Sequence, residues 1–163
     1  MAKIKYLIIH CTATPKGRAV SSKDIRKWHT DPVSKGGRGW SQVGYADMIH
    51  LDGSVENLVP YNRDDKVDAW EITNGVAGIN YMARHVVYVG GCAIDGKTAL
   101  DTRTPEQKLA LLNYVKQTIT MAPTIMISGH NQWDKKECPS FSVPQWAIAC
   151  GISPKNIYNG WPK

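Results

Sequence analysis

The sequence predicts one mixed α/β domain covering residues 1–163. Three observations predict it. Short apolar strand-like runs alternate with helical patterns along the chain. A turn signal between two such runs adds a hairpin. No internal repeat or linker divides the chain, and 163 residues suffice to bury a single core.

The elements follow in order. Residues Ile4 to His10 run apolar after a weak alternation, which suits a buried strand ending at His10. After the polar loop CTATPKGRAVSS, Ser21 or Ser22 caps a helix, SSKDIRKWHT, with Ile25 and Trp28 on one face. DPVSKGGRGW is rich in glycine and charge and reads as a flexible surface loop. The hairpin comprises Gly44–His50, the turn Asp52-Gly53 and Ser54–Leu58. The polar stretch from Tyr61 to Asn80 suits a surface groove. ARHVVYVGG is a β-branched strand closed by Gly90-Gly91. Thr104, Pro105 and Gln107 carry a cap signature for a long helix, whose stripe Leu109, Leu112, Val115 and Ile119 is expected in the core. Thr124–Ile127 forms a last short strand. Ser142-Val-Pro-Gln145 caps a final helix that Gly151 stops.

Composition excludes several classes. No run approaches the roughly 20 apolar residues of a membrane span, so no membrane insertion is expected. The apolar stretch Tyr6–Ile9 is too short for a signal peptide, and no small-residue cleavage site follows it. The product is therefore expected in the cytoplasm, reaching any outside target after lysis or dedicated export. A net charge of +6, with 20 Lys and Arg against 14 Asp and Glu, favours polyanionic partners. It is equally consistent with a solvated basic surface. Cys11, Cys92, Cys138 and Cys150 are widely spaced with no CxxC pair, which suits thiols or a metal ligand over a disulfide framework.

Two of the five histidines share a context. His10 and His130 each directly follow an apolar strand, "YLII-H" and "IMISG-H". Strand ends hold a ligand rigidly while leaving an entry path. With Cys138, eight residues beyond His130, they make a His₂Cys set with a fourth position for water. That is the catalytic pattern for zinc, whereas structural sites close with four protein ligands. Taken singly, each has a duller reading: a hydrogen-bonded histidine, or a cysteine packed as a small hydrophobe. His29 reads as solvent-facing or stacked, and His50 and His85 as polar groups in strands. Asp134, Lys135 and Glu137 read as ordinary solvent-facing residues.

The motifs IIHCTAT at His10, WSQVGY from Trp40 to Tyr45, DGSVE after the hairpin turn, VYVGG, and His130 followed by KECPSF occur in that order. In this the chain resembles the zinc-dependent N-acetylmuramoyl-L-alanine amidases, which include phage lysozyme-type amidases and peptidoglycan recognition proteins. The resemblance spans His10 to Phe141. It implies a central mixed β-sheet flanked by helices, and a groove for a glycan-peptide strand of peptidoglycan. It implies cleavage of the amide between the lactyl group of N-acetylmuramic acid and L-alanine of the stem peptide. It also implies one Zn²⁺ held by His10, His130 and Cys138, with Tyr45 and Lys136 as catalytic residues. Which of those two stabilises the oxyanion is open. A monomer is expected, in the setting of a phage or prophage endolysin, with a wall-recycling amidase or an exported effector as alternatives.

Three departures fall near the groove. The usual GYH is Gly44-Tyr45-Ala46, the histidine of HAxG has no match in Glu71-Ile-Thr-Asn-Gly75, and Arg84-His85 stand where the family is small or apolar. Candidate substrate contacts are Trp40, Arg63, Trp70, Asn74, Asn80 and Arg84, together with Tyr61. Aromatic faces stack on sugars, and Arg63 or Arg84 pairs with stem-peptide carboxylates. The competing functions are a binding module of the same fold, which the retained Cys138 argues against, and a nucleic-acid-binding protein, for which no recognised motif is present.

Overall fold

In the computed structural model, which describes residues 1–162, the chain opens with β1 (Ala2–Lys3), β2 (Tyr6–Cys11) and β3 (Thr14–Pro15). Helix α1 (Ser22–Thr30), the hairpin β4 (Asp47–Ile49) and β5 (Val55–Asn57), and β6 (Lys66–Val67) follow. The second half carries β7 (Ala83–Tyr88), β8 (Gly91–Cys92), α2 (Pro105–Met121), β9 (Met126–Gly129) and α3 (Val143–Ala149). Five strands form the central sheet in the order β5-β4-β7-β2-β9. It is mixed: β4, β7, β2 and β9 are parallel, and β5 closes one edge antiparallel to β4. Two small pairs, β1 with β6 and β3 with β8, stand outside it.

Local chemistry accounts for the element starts. Ser21 accepts from the Asp24 N–H while Asp24 answers to the Ser21 N–H, a capping box that settles the choice between Ser21 and Ser22. Thr104 and Gln107 repeat it at α2 with Pro105 in the first turn, and Ser142 caps α3. At the hairpin turn Gly53 takes φ +84°, and a Cβ there would lie 2.8 Å from the Glu106 carbonyl oxygen. Glycine is required on both counts.

The two sheet faces bury different layers. α2 and α3 cover one face, packing Leu111, Tyr114, Val115, Val143 and Ala147 against Leu7, Ile9, Val86 and Ile127. The other face carries Met48 and Val87 under Ile25 of α1, and Ile8 against Val76 and Ala83. One buried carboxylate ties hairpin to helix. Asp47 accepts from Tyr114 Oη at 2.6 Å, Tyr61 Oη at 2.8 Å and Asn57 Nδ2 at 2.9 Å, so its charge is compensated by three donors. No helix among the described residues is long and apolar enough to cross a membrane.

The expected apolar stripe of α2 needs correction. Leu109 is 62% exposed, and Leu112 and Ile119 are only partly buried. The buried face is Gln107, Leu111, Tyr114, Val115 and Thr118. Gln107 belongs there because its side-chain amide donates through Nε2 to the Val89 and Ile49 carbonyls, closing the end of the sheet. Leu111→Ala is therefore expected to cost about 2–5 kcal/mol, while Leu109→Ala stays within about 0.5 kcal/mol. Urea denaturation midpoints of the two variants measure the difference.

Candidate metal centre

β2 and β9 run parallel with Ile9 opposite Gly129. The next residue on each is a histidine, so His10 and His130 leave the same end of the sheet side by side. Their Nδ1 atoms are 3.1 Å apart. Cys138 returns on the following loop, its Sγ 3.9 Å from His10 Nδ1 and accepting the Cys11 N–H at 3.3 Å. The three donor atoms lie within 4.8 Å of one another.

This donor set fits zinc. Tetrahedral coordination, with Zn–N near 2.0–2.1 Å and Zn–S near 2.3 Å, separates two nitrogens by about 3.3 Å and nitrogen from sulfur by about 3.6 Å. His130 Nε2 is 2.9 Å from Asp134 Oδ2, which can only accept, so the proton sits on Nε2 and Nδ1 is bare. Asp134 is thus more than a solvent-facing residue, correcting that expectation. His10 Nε2 lies 2.9 Å from His85 Nδ1.

Burial sets the charge state. It holds His10 well below the ordinary histidine value, with His85 and His130 adding to the shift. His130 is lowered by burial despite the opposing Asp134. Neutral imidazoles are the form that ligates. Burial also pushes the Tyr45 phenol upward, so Tyr45 keeps its proton and remains a donor. The Tyr45 ring centroid stands 5.1 Å from that of His10 and 5.2 Å from that of His29. His29, in turn, accepts the Gly44 N–H through Nδ1 at 3.0 Å, which anchors the loop carrying Tyr45.

A cleft of about 420 Å³ opens over His10 and His130. Of the residues proposed from sequence, Tyr45, Lys136, Trp40, Asn74 and Asn80 line it. Lys136 is exposed at its rim. Arg63, Trp70 and Arg84 do not line it. Arg63 is exposed beside a separate depression with Asn57 and Tyr114, and Trp70 is 55% exposed on the turn Ala69–Glu71. Arg84 is 4% exposed, its guanidinium carbon 3.8 Å over the Tyr61 ring and Nη2 3.9 Å from Glu71 Oε2. It stands inside the fold and is not available to a stem-peptide carboxylate.

Sequence reasoning missed Arg38, His29, His85 and Asp134. Arg38 is an exposed cation 4.9 Å over the Trp40 ring, and it lines the cleft from the glycine-rich loop. His29 is buried against Trp40. Only Asp134 left a usable signal, its four-residue step from His130.

The family model for N-acetylmuramoyl-L-alanine amidase matches residues 1–141. The chain belongs to the N-acetylmuramoyl-L-alanine amidase family. It is 31% identical over 154 residues to the endolysin of Enterobacteria phage K11, covering 90% of this chain and 92% of that one. The endolysin of Escherichia phage T7 is 30% identical over 141 residues, 86% and 83% of the two chains. The solved N-acetylmuramoyl-L-alanine amidase LysC from Clostridium intestinale URNW superposes with a TM-score of 0.67 at 18% identity, covering 93% and 88%. That last likeness is one of fold, and it matches the mixed sheet and flanking helices expected from the sequence. Membership in this amidase family carries a peptidoglycan-hydrolase function for the chain.

His29 supplies a pH test of the amidase fold. Burial lowers it from 6.5 to about 4. Between those values the unfolded chain binds the proton that the folded chain refuses, so the His29 contribution is full above pH 6.5 and is lost as pH falls toward 4. In the chelated protein, thermal midpoints should fall over that window, and less steeply for His29→Asn, whose amide oxygen can still accept the Gly44 N–H. Equal slopes for both proteins would refute the assignment.

Proposed function

We propose that this chain is a zinc-dependent amidase that hydrolyses the bond between the lactyl group of N-acetylmuramic acid and L-alanine of the stem peptide. The observation that carries the reading is the convergence of His10, His130 and Cys138, with both histidines lining an open cleft, in a chain of this family. Three protein donors leave a coordination position free, as hydrolytic zinc sites require. A zinc ion bound there supplies Lewis acidity, acidifying water and polarising a carbonyl.

The chain's own residues do the rest. Amide cleavage builds negative charge on the former carbonyl oxygen, and preorganised donors in a partly dry site stabilise it most. Lys136 contributes a charge from the rim, and Tyr45 contributes a phenol that burial keeps protonated. The Trp40 face offers a stacking surface for a sugar ring, and Arg38 a cation for an acidic substrate group. Retention of all three donors sets the chain apart from a binding-only module. The names of the two phage relatives support an endolysin that reaches the wall at lysis. We assign it peptidoglycan as substrate and a monomeric state.

Mass spectrometry of digested peptidoglycan tests bond and metal together. New L-alanine amino termini should appear and should vanish with a chelator. Cleaved glycan bonds, or chelator-resistant activity, would count against the reading. Cys138→Ala and His130→Ala are expected to lose both zinc and hydrolysis. Lys136→Ala should keep stoichiometric zinc while kcat falls about 10²–10³-fold, the scale of removing one oxyanion donor. An unchanged kcat would remove Lys136 from the transition state.

A further inference from the structure

The ligand set leaves one buried imidazole without a function. His85, in the middle of β7, is 0% exposed and contacts no bulk water. Register explains its position. Ile8 of β2 pairs with His85, so His10, two residues further along β2, projects from the same sheet face. His85 Nδ1 lies 2.9 Å from His10 Nε2, on the side of the His10 ring away from the donor cluster.

The protons along this contact can be placed. Asn80 Oδ1 accepts the Val76 backbone N–H at 2.8 Å and also lies 2.9 Å from His85 Nε2. An acceptor oxygen there requires the His85 proton on Nε2. A neutral His85 then has a bare Nδ1, which must accept, so His10 carries its proton on Nε2. The consequence is a bare His10 Nδ1 aimed at the same point as the bare His130 Nδ1. Without an acceptor at Nε2, the opposite tautomer of His10 gains a partner instead, donating from Nδ1 to His130 Nδ1 across 3.1 Å. That tautomer occupies the atom a metal needs.

The space for His85 comes from Gly75. A Cβ built there would lie 2.2 Å from His85 Nδ1 and 2.4 Å from its Cγ. Gly75 does not have positive φ, so its backbone does not demand glycine. Only the neighbouring ring does.

We propose that His85, oriented by Asn80 and admitted by Gly75, is a positioning residue that fixes the His10 tautomer and so prepares His10 Nδ1 to bind zinc. The inference rests on His10 being a zinc ligand. Two nearly isosteric replacements separate it from a packing role. His85→Asn keeps an acceptor oxygen near the Nδ1 position, whereas His85→Leu removes it, and both replace the ring by a side chain of the same branched shape.

Zinc affinity by competition with a chromophoric chelator should fall about 10–100-fold in His85→Leu, the range for losing such a supporting partner. In His85→Asn it should stay within about threefold of wild type. Gly75→Ala should weaken binding in the wild-type background but add little to His85→Leu. Nitrogen NMR of the His10 ring in chelated protein should show the Nε2–H form in wild type and His85→Asn, and a shift toward Nδ1–H in His85→Leu. Equal affinities for the Leu and Asn variants, or an unchanged His10 tautomer in His85→Leu, would overturn the proposal. Zinc retained by His10→Ala would instead overturn the ligand assignment, while the tautomer measurement, made without metal, still judges His85.

Discussion

The parallel alignment of β2 between β7 and β9 is the constraint on which the site depends. β2 is hydrogen-bonded on both sides, so its residues cannot slide without breaking two ladders. That double pairing sets His10 beside His130 on one flank and above His85 on the other. A slip of one residue would rotate His10 into the layer filled by α2 and bring Cys11 into its place. Two of the three donors are therefore positioned by the sheet itself. Cys138 alone comes from a loop, and that loop is tied back by the Asn131 N–H donating to the Cys138 carbonyl at 2.7 Å and by the Cys11 N–H on Sγ.

The same geometry divides charge between the floor and rim of the cleft. The floor holds buried imidazoles that burial keeps neutral, which is the state that accepts a cation. The rim holds Lys136 and Arg38, both in solvent contact. An ammonium among the donors would repel a metal ion, whereas one at the edge faces the substrate side. A site of this kind favours positive charge below and developing negative charge above, which is the arrangement that metal-assisted amide hydrolysis uses.

How much of this was legible in the sequence follows from the range of each signal. The caps at Ser21, Thr104 and Ser142, the Asp52-Gly53 turn and the strand-terminal histidines are local patterns, and the structure reproduces each element within a few residues. The buried face of α2 is not legible because Leu109, Ala110, Leu111 and Leu112 are all apolar, so periodicity alone does not choose among them. The contact of Asp134 with His130 depends on the turn His130–Gln132 folding the chain back, which the four-residue step alone does not announce. The pairing of His85 with His10 joins residues 75 positions apart, and nothing local in either strand encodes it. Charge suggests Arg63 and Arg84 as carboxylate partners, but charge does not say whether a residue faces the cleft.

Arg84 and His85 show how a strand separates neighbouring departures. Successive side chains alternate faces, so Arg84 turns toward the face that α2 and α3 cover and His85 toward the donor cluster. Arg84 is stacked on Tyr61 beside Glu71, whose carboxylate is already engaged by the Asn62 and Asp68 N–H groups. It belongs to the packing of the long polar loop. His85 enters the space over Gly75. The His85 ring and a side chain at position 75 cannot coexist, so the two positions are coupled in space. Read along the chain, positions 84 and 85 look like one bulky polar insertion. In three dimensions, position 85 belongs with 75, and position 84 belongs with 61 and 71.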